Sequence, residues 1–114
     1  MKLQIEKQHL RLRVDEAELA KLLQGDAIVT HTRFAQAFSM ACTLRLTPAL
    51  EARIAGQSDT WEIEVPRADV TALAERLPSR DGLRFMLPTQ GGDDALTMLF
   101  DVDVRDSARR RKAT

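Results

Sequence analysis

The chain has 114 residues, of which 44% are hydrophobic and 30% charged, with five Gly and four Pro. This size and composition predict one globular domain with a core of ordinary size and exclude a wholly disordered chain. The 17 Lys and Arg residues balance the 17 Asp and Glu residues, but the basic residues gather near the C-terminus. A nucleic-acid-binding domain would instead have a basic face within its fold, so this distribution argues against that class. We therefore predict a single domain over 1–104 and a basic, disordered tail over 105–114 with at most weak nucleic-acid contact.

The cysteine content and the length of the hydrophobic runs indicate the cellular compartment in which the protein is expected. Cys42 is the only cysteine, which excludes a disulfide framework and a cysteine metal cluster. Because it alternates with Met40 and Leu44, it is predicted to be a core residue. Residues 1–13 lack an apolar signal-peptide segment, and no run approaches the length needed to cross a bilayer. A cytoplasmic protein that makes no membrane contact is expected.

The first part of the chain predicts a hairpin and a helix. Alternation of apolar and polar residues over 2–7 and 10–14 is typical of two half-buried strands. Asp15 can then cap a helix, with Glu18 completing a capping box. The helix has an apolar stripe and ends near Gly25.

Further strands and a second helix are predicted downstream. Strands over 27–34 and 38–46 would form a hairpin, and Pro66 would open a helix that ends before Pro78. The last two strands are predicted at 83–87 and 96–104.

The segment 48–55 allows two interpretations. Thr47, Pro48 and Gly56 would suit the cap, first turn and end of a short helix. Alternation at Leu50, Ala52 and Ile54 instead predicts a strand, which would form a hairpin with the alternating segment that follows. We favour the strand because one hairpin explains both alternating segments.

Two similar stretches indicate a repeat. RLRVDEAELAKLL from Arg11 resembles EIEVPRADVTALA from Glu62, and aligning Val14 with Val65 also aligns the apolar stripes of the two helices. We interpret this as a tandem strand–helix–strand–strand unit preceded by one extra strand, although chance alternation can mimic such a match. The predicted fold class is α+β: a single domain with a mostly antiparallel β-sheet and two short helices on one face.

The segments MKLQIEKQHLRLRVDEAELAKLLQG, HTRF and TWEIEVP resemble an uncharacterised family of short bacterial proteins. The match is carried by Arg11, Arg13, Thr32, Phe34, Val65 and Pro66. The resemblance covers residues 1 to about 104 and leaves the basic tail outside. It implies a fold and leaves the function open.

Charged side chains on the strand faces opposite the helices are candidates for ligand binding. The predicted site consists of Arg11, Arg13, Arg45, Glu62, Glu64 and Arg84. The Glu62–Glu64 segment is similar to the start of the Glu-x-Glu-x-Lys strand of triphosphate tunnel enzymes, which bind metal and polyphosphate, although Pro66 stands at the Lys position. A strongly curved sheet would line a polar concavity with these residues. The alternative is a solvated sheet face with cross-strand Arg–Glu pairs.

No motif predicts catalysis. The sequence GGDD at 91–94 looks like the turn of diguanylate cyclases but is better explained as a Gly-rich hairpin turn. His9 and His31 have no spacing typical of a metal site, so no catalytic residue, metal or cofactor is expected. The sequence therefore predicts a small non-catalytic binding or interaction module that associates with itself, for example as a homodimer. The alternative is an anion- or polyphosphate-binding protein or enzyme that uses the charged sheet face.

Overall fold

A computed structural model describes residues 1–79, 81–88 and 94–104. In this part, eight strands and two helices form two successive β-β-α-β-β units. The first unit contains β1 (Lys2–Glu6), β2 (His9–Asp15), α1 (Glu16–Leu23), β3 (Ile28–Phe34) and β4 (Phe38–Thr47). The second contains β5 (Arg53–Gln57), β6 (Thr60–Pro66), α2 (Arg67–Glu75), β7 (Leu83–Leu87) and β8 (Leu96–Asp103). The predicted tail and most of the GGDD turn lie outside the described residues.

The strands form two four-stranded sheets. Sheet I has the order β1-β2-β8-β7, and sheet II has the order β3-β4-β6-β5. In each sheet the two outer pairs are antiparallel and the central pair is parallel. The predicted α+β class, with mostly antiparallel strands and two helices, is confirmed. The strands divide into two sheets, however, because the central partner of β2 is β8, far along the chain.

The two units exchange hairpins. Sheet I combines β1–β2 of the first unit with β7–β8 of the second, and sheet II combines β3–β4 with β5–β6. Corresponding central pairs occupy the two sheets: Leu12 lies opposite Phe100 in sheet I, and Ile63 lies opposite Leu44 in sheet II. The repeat unit is one strand longer than predicted, because β5 pairs with β6 as β1 pairs with β2.

The inner faces of both sheets and one side of each helix share one hydrophobic core. Alternate residues of the central strands point inward because side chains on a strand alternate between its two faces. The buried core consists of Leu10, Leu12, Val14, Leu19, Leu22, Ile28, Cys42, Leu44, Ile63, Val65, Val70, Leu73, Met98, Phe100 and Val102. The charged residues of the same strands therefore lie on the outer faces of the sheets.

The ambiguous segment 48–55 contains a strand, as favoured, but the strand begins only at Arg53. Gly56 lies within β5 at a φ of 99° instead of ending a helix. Helix α2 begins one residue later than predicted. Pro66 is its N-cap, and Arg67 is its first residue.

Helix α1 is stabilised at both ends. The Asp15 carboxylate accepts a hydrogen bond from the backbone amide of Glu18 at 2.7 Å, and the Glu18 carboxylate accepts one from the amide of Asp15 at 3.0 Å. At the other end, the Arg67 guanidinium donates to the carbonyl oxygens of Leu23 and Leu22 at 3.0 and 3.5 Å. The second unit thus supplies donors to carbonyl groups in the last turn of the helix, where the Leu22 carbonyl also accepts a hydrogen bond from the backbone amide of Gly25 at 3.0 Å. No helix in the described ranges is long and apolar enough to span a membrane.

Substitution of the N-cap, Asp15→Ala, should lower the free energy of unfolding by about 1 kcal/mol, because it removes the side-chain acceptor for the first helical turn. Asp15→Asn keeps an acceptor oxygen and should cost only a small fraction of that. Urea denaturation followed by circular dichroism measures both variants. Equal losses for the two would contradict a hydrogen-bonding role for this side chain.

Candidate functional site

The six predicted site residues do not form one cluster. Arg11, Arg13 and Arg84 lie on β2 and β7 of sheet I, whereas Arg45, Glu62 and Glu64 lie on β4 and β6 of sheet II. The inner faces of both sheets contribute to the same core, so the two outer faces point away from it. Each outer face is consequently a separate candidate surface.

On sheet I, a single carboxylate pairs with two of the arginines. Asp101 on β8 accepts hydrogen bonds from Arg11 Nε at 3.0 Å and Nη2 at 2.5 Å, and from Arg13 Nε at 3.2 Å. The Asp101 side chain is 17% exposed, and the two arginine side chains are 38% and 39% exposed. Because Asp101 is shared, much of the positive charge of Arg11 and Arg13 is already compensated within the chain.

Removing this shared carboxylate by Asp101→Asn should lower stability by about 1 kcal/mol, since it breaks two partly exposed ion pairs and leaves two neighbouring guanidinium groups uncompensated. The loss should shrink at high NaCl, where repulsion between the arginines is screened. Asp26→Asn, at an exposed residue between α1 and β3, is the control and should change little. Urea melts at low and high salt measure the difference, and a loss of stability independent of salt would contradict the electrostatic explanation.

The outer face of sheet I contains two adjoining hollows. The smaller, of about 320 Å³, is lined by Arg11, Asp81, Gly82, Leu83, Arg84, Leu99, Phe100 and Asp101. The larger, of about 680 Å³, is lined by Gln4, Ile5, Glu6, His9, Arg11 and Leu99. Arg11 and Leu99 line both hollows. The smaller brings two predicted site residues, Arg11 and Arg84, together, but Asp81 and Asp101 balance their charge.

On sheet II, Glu64 lies between two arginine positions. Its carboxylate is 2.9 Å from Arg53 Nη2 of β5, and Arg45 of β4 is its register partner on the other side. Arg45 makes no ion pair with another described residue, and Glu62 is exposed on the same face. The face therefore carries both signs of charge.

Corresponding positions of the two units carry opposite charges. In sheet I, Arg13 of β2 lies opposite Asp101 of β8, and in sheet II, Glu64 of β6 lies opposite Arg45 of β4. The Arg11/Arg13 pair of one unit therefore does not meet the Glu62/Glu64 pair of the other. Each sheet supplies its own counter-charge, which agrees with the alternative of cross-strand pairs on a solvated face.

Cys42 and His31 differ in burial. Cys42 is fully buried, and this burial raises the pKa of its thiol. His31 is exposed on β3. Within 1–79, 81–88 and 94–104, no group of three or more His, Cys, Asp or Glu side chains is arranged to hold a metal ion.

An exposed aromatic pair at the tip of the β3–β4 hairpin is a further candidate that the sequence patterns did not reveal. Phe34 and Phe38 are register partners whose rings stack, with centroids 4.8 Å apart and planes 29° apart. They are 42% and 62% exposed. The sequence FAQAF, in which one Phe stands on each side of a three-residue loop, is the signal that could have indicated this pair.

Comparison with protein families finds a match to the model of a family of unknown function over residues 1–104. The matched range ends at the last described residue and leaves out the basic tail. The expected resemblance to a family without a known function is thereby confirmed. Comparison with curated proteins finds no significant match.

Proposed function

Because the chain belongs over residues 1–104 to DUF7009, a family of unknown function, we propose its function from its own geometry: a small, non-catalytic interaction module that associates with itself through the β3 edge of sheet II. The observation that carries this proposal is a long edge strand that ends in an exposed aromatic pair. Free backbone amides and carbonyls along such an edge can form hydrogen bonds with another strand.

Among the four edge strands, β3 has the fewest features that prevent strand addition. It has seven residues, whereas β1, β5 and β7 have five each. Its sequence IVTHTRF contains no Gly or Pro and only one formally charged residue, Arg33. By contrast, β1 carries Lys2 and Glu6, and β5 contains Gly56 at positive φ. Short length, charge and backbone irregularity are the usual protections of sheet edges.

The aromatic pair adds apolar surface at the end of this edge. Apart from Ile28, which is buried, and Thr30, which is half-buried, the residues of β3 are exposed, and Phe38 is exposed on the adjoining strand. Exposed apolar surface beside unpaired backbone groups favours association, because one partner strand covers both.

The test is the oligomeric state as a function of concentration, measured by analytical ultracentrifugation. We expect the wild-type chain to form a dimer as its concentration rises. Thr32→Lys places a charge on the exposed edge of β3 and should weaken the dimer. Gln57→Lys, an exposed residue on the opposite edge of the same sheet, is the matched control and should leave it unchanged. A wild-type monomer at all concentrations, or sensitivity to Gln57→Lys alone, would overturn the proposal.

A second candidate function is anion or polyphosphate binding on the outer face of sheet I. It is favoured by the smaller hollow, where Arg84 is exposed and makes no ion pair with a described residue. A ligand that binds only the folded state should raise the melting temperature by mass action. Thermal shift with polyphosphate, nucleotides and divalent cations tests this function, with Arg84→Ala as the site variant and the remote Arg33→Ala as control. Asp101→Asn should increase anion affinity. No shift with any of these ligands would remove this candidate.

A further inference from the structure

We propose, resting on the self-association above, that the β3 strands of two copies pair antiparallel about a twofold axis at His31 and join the two copies of sheet II into one eight-stranded sheet. The sequence of β3, IVTHTRF, has a nearly palindromic pattern of residue types. Around His31, Thr30 mirrors Thr32, and apolar Ile28 mirrors apolar Phe34. A twofold interface requires such self-complementarity, because residue i of one copy contacts residue j of the other and vice versa.

The two faces of the sheet restrict the register. In an antiparallel pair, directly opposite residues project on the same face, so an inner-face residue must meet another inner-face residue. Centring the pair on His31 satisfies this condition and is the register that pairs all seven residues of β3. It places Phe34 of one copy opposite Ile28 of the other, at both ends of the paired strands. The apolar surface left exposed at Phe34 therefore gains an apolar partner.

The charges of β3 agree with the same register. Arg33, the only formal charge of the strand, would lie opposite Val29 of the second copy, so no two like charges are opposed. Shifting the centre to Thr32 would place Arg33 opposite His31 and would pair only five residues. The centre at His31 thus combines the longest overlap with the absence of opposed charges, since like charges directly across a sheet are destabilising.

Introduced cysteines test the register directly. Opposed residues in an antiparallel pair have Cα atoms about 4.5–5.5 Å apart, within the range that a disulfide spans. His31→Cys should therefore cross-link to a dimer under mild oxidation on a non-reducing gel. Cys42 is fully buried and should give no background, which the oxidised wild-type chain checks.

Two further cysteine variants distinguish this register from its neighbours. Val29→Cys and Arg33→Cys should each fail to cross-link alone, because the two copies of either residue lie about 13 Å apart along the strands. An equimolar mixture of the two variants should cross-link, since position 29 of one copy lies opposite position 33 of the other. Cross-linking of Val29→Cys or Arg33→Cys alone would overturn this register.

A charge pair provides an independent measurement without disulfides. Val29→Glu would place a carboxylate opposite Arg33 of the second copy twice per dimer, and Val29→Lys would oppose two positive charges at the same places. We expect the dimer dissociation constants of these variants to differ by roughly tenfold, with the Glu variant tighter. Equal constants would contradict the register.

The outcomes separate this inference from the proposed function. A dimer that is weakened by Thr32→Lys but gives no His31→Cys cross-link would overturn the register and leave self-association intact. A wild-type chain that stays monomeric would overturn both the register and the self-association. The β3 edge would then be available to pair with a strand of a different protein.

Discussion

Phe100→Ala should lower the free energy of unfolding by about 3–5 kcal/mol, because it truncates one of the largest fully buried side chains of the core. Phe100 is fully buried on β8, where it lies between Leu12 of β2 and Leu83 of β7. Truncation would remove buried apolar area and leave a cavity on the inner face of sheet I, which the neighbouring strands cannot fill without breaking their register. The loss would be a large fraction of the stability of an ordinary domain.

The measurement is guanidinium denaturation with linear extrapolation, at a protein concentration low enough to keep the chain monomeric. Phe38→Ala is the matched control, because it deletes the same side chain at a position that is 62% exposed, and it should cost well under half as much. Phe100→Leu, with a smaller expected loss, provides a value if the alanine variant does not fold. Similar losses for Phe100→Ala and Phe38→Ala would contradict the central position of Phe100 in the core.

Gly56→Ala should destabilise the chain by about 3 kcal/mol or more, because the site excludes a side chain in two ways. The backbone of Gly56 has a φ of 99°, which L-residues rarely adopt, and a Cβ added there would lie 2.1 Å from the carbonyl oxygen of Thr60. That oxygen belongs to the paired strand β6, so it cannot move away without opening the β5–β6 hairpin.

Gly25→Ala separates the two causes. Gly25 has almost the same conformation, with a φ of 100°, but an added Cβ would meet no atom within 4 Å. Only the backbone strain should remain, at a cost of about 1–2 kcal/mol. The same denaturation experiment measures both variants, and their difference reports the contact between Gly56 and Thr60. A cost for Gly25→Ala as large as that for Gly56→Ala would show that this contact contributes nothing.

The local elements of this fold could be predicted from the sequence because their signals are local. Alternation predicted β7 at its observed bounds and the other strands within a few residues, and Asp15 with Glu18 marked the start of α1 as observed. The strand partners could not be predicted in the same way. The same alternation along β2 would suit an antiparallel neighbour or the parallel partner β8, which lies at the other end of the domain.

The grouping of charged residues into candidate surfaces depends on the strand pairing, which the local sequence patterns do not reveal. The outer-face position of Arg11 and Arg13 followed from alternation, but their shared partner Asp101 is about 90 residues away, beyond any local pattern. The edge position of β3 is likewise a property of the assembled sheet, and no residue of IVTHTRF encodes it alone. Sequence patterns therefore identified charged side chains correctly as outward-facing residues but gave no means of separating them into two surfaces.

The exchange of hairpins between the two units also determines the order in which the chain can fold during its synthesis. Sheet II uses the continuous segment 28–66, whereas sheet I needs β1–β2 from the beginning and β7–β8 from the end. On the ribosome, all four strands of sheet II are made before the first residue of β7. The β2 strand keeps one unpaired side until β8 has left the exit tunnel, and closing that long loop is entropically costly. Completion of sheet I should therefore be the slow step, during which the nascent chain exposes the free side of β2 as an additional, temporary edge that can pair with other chains.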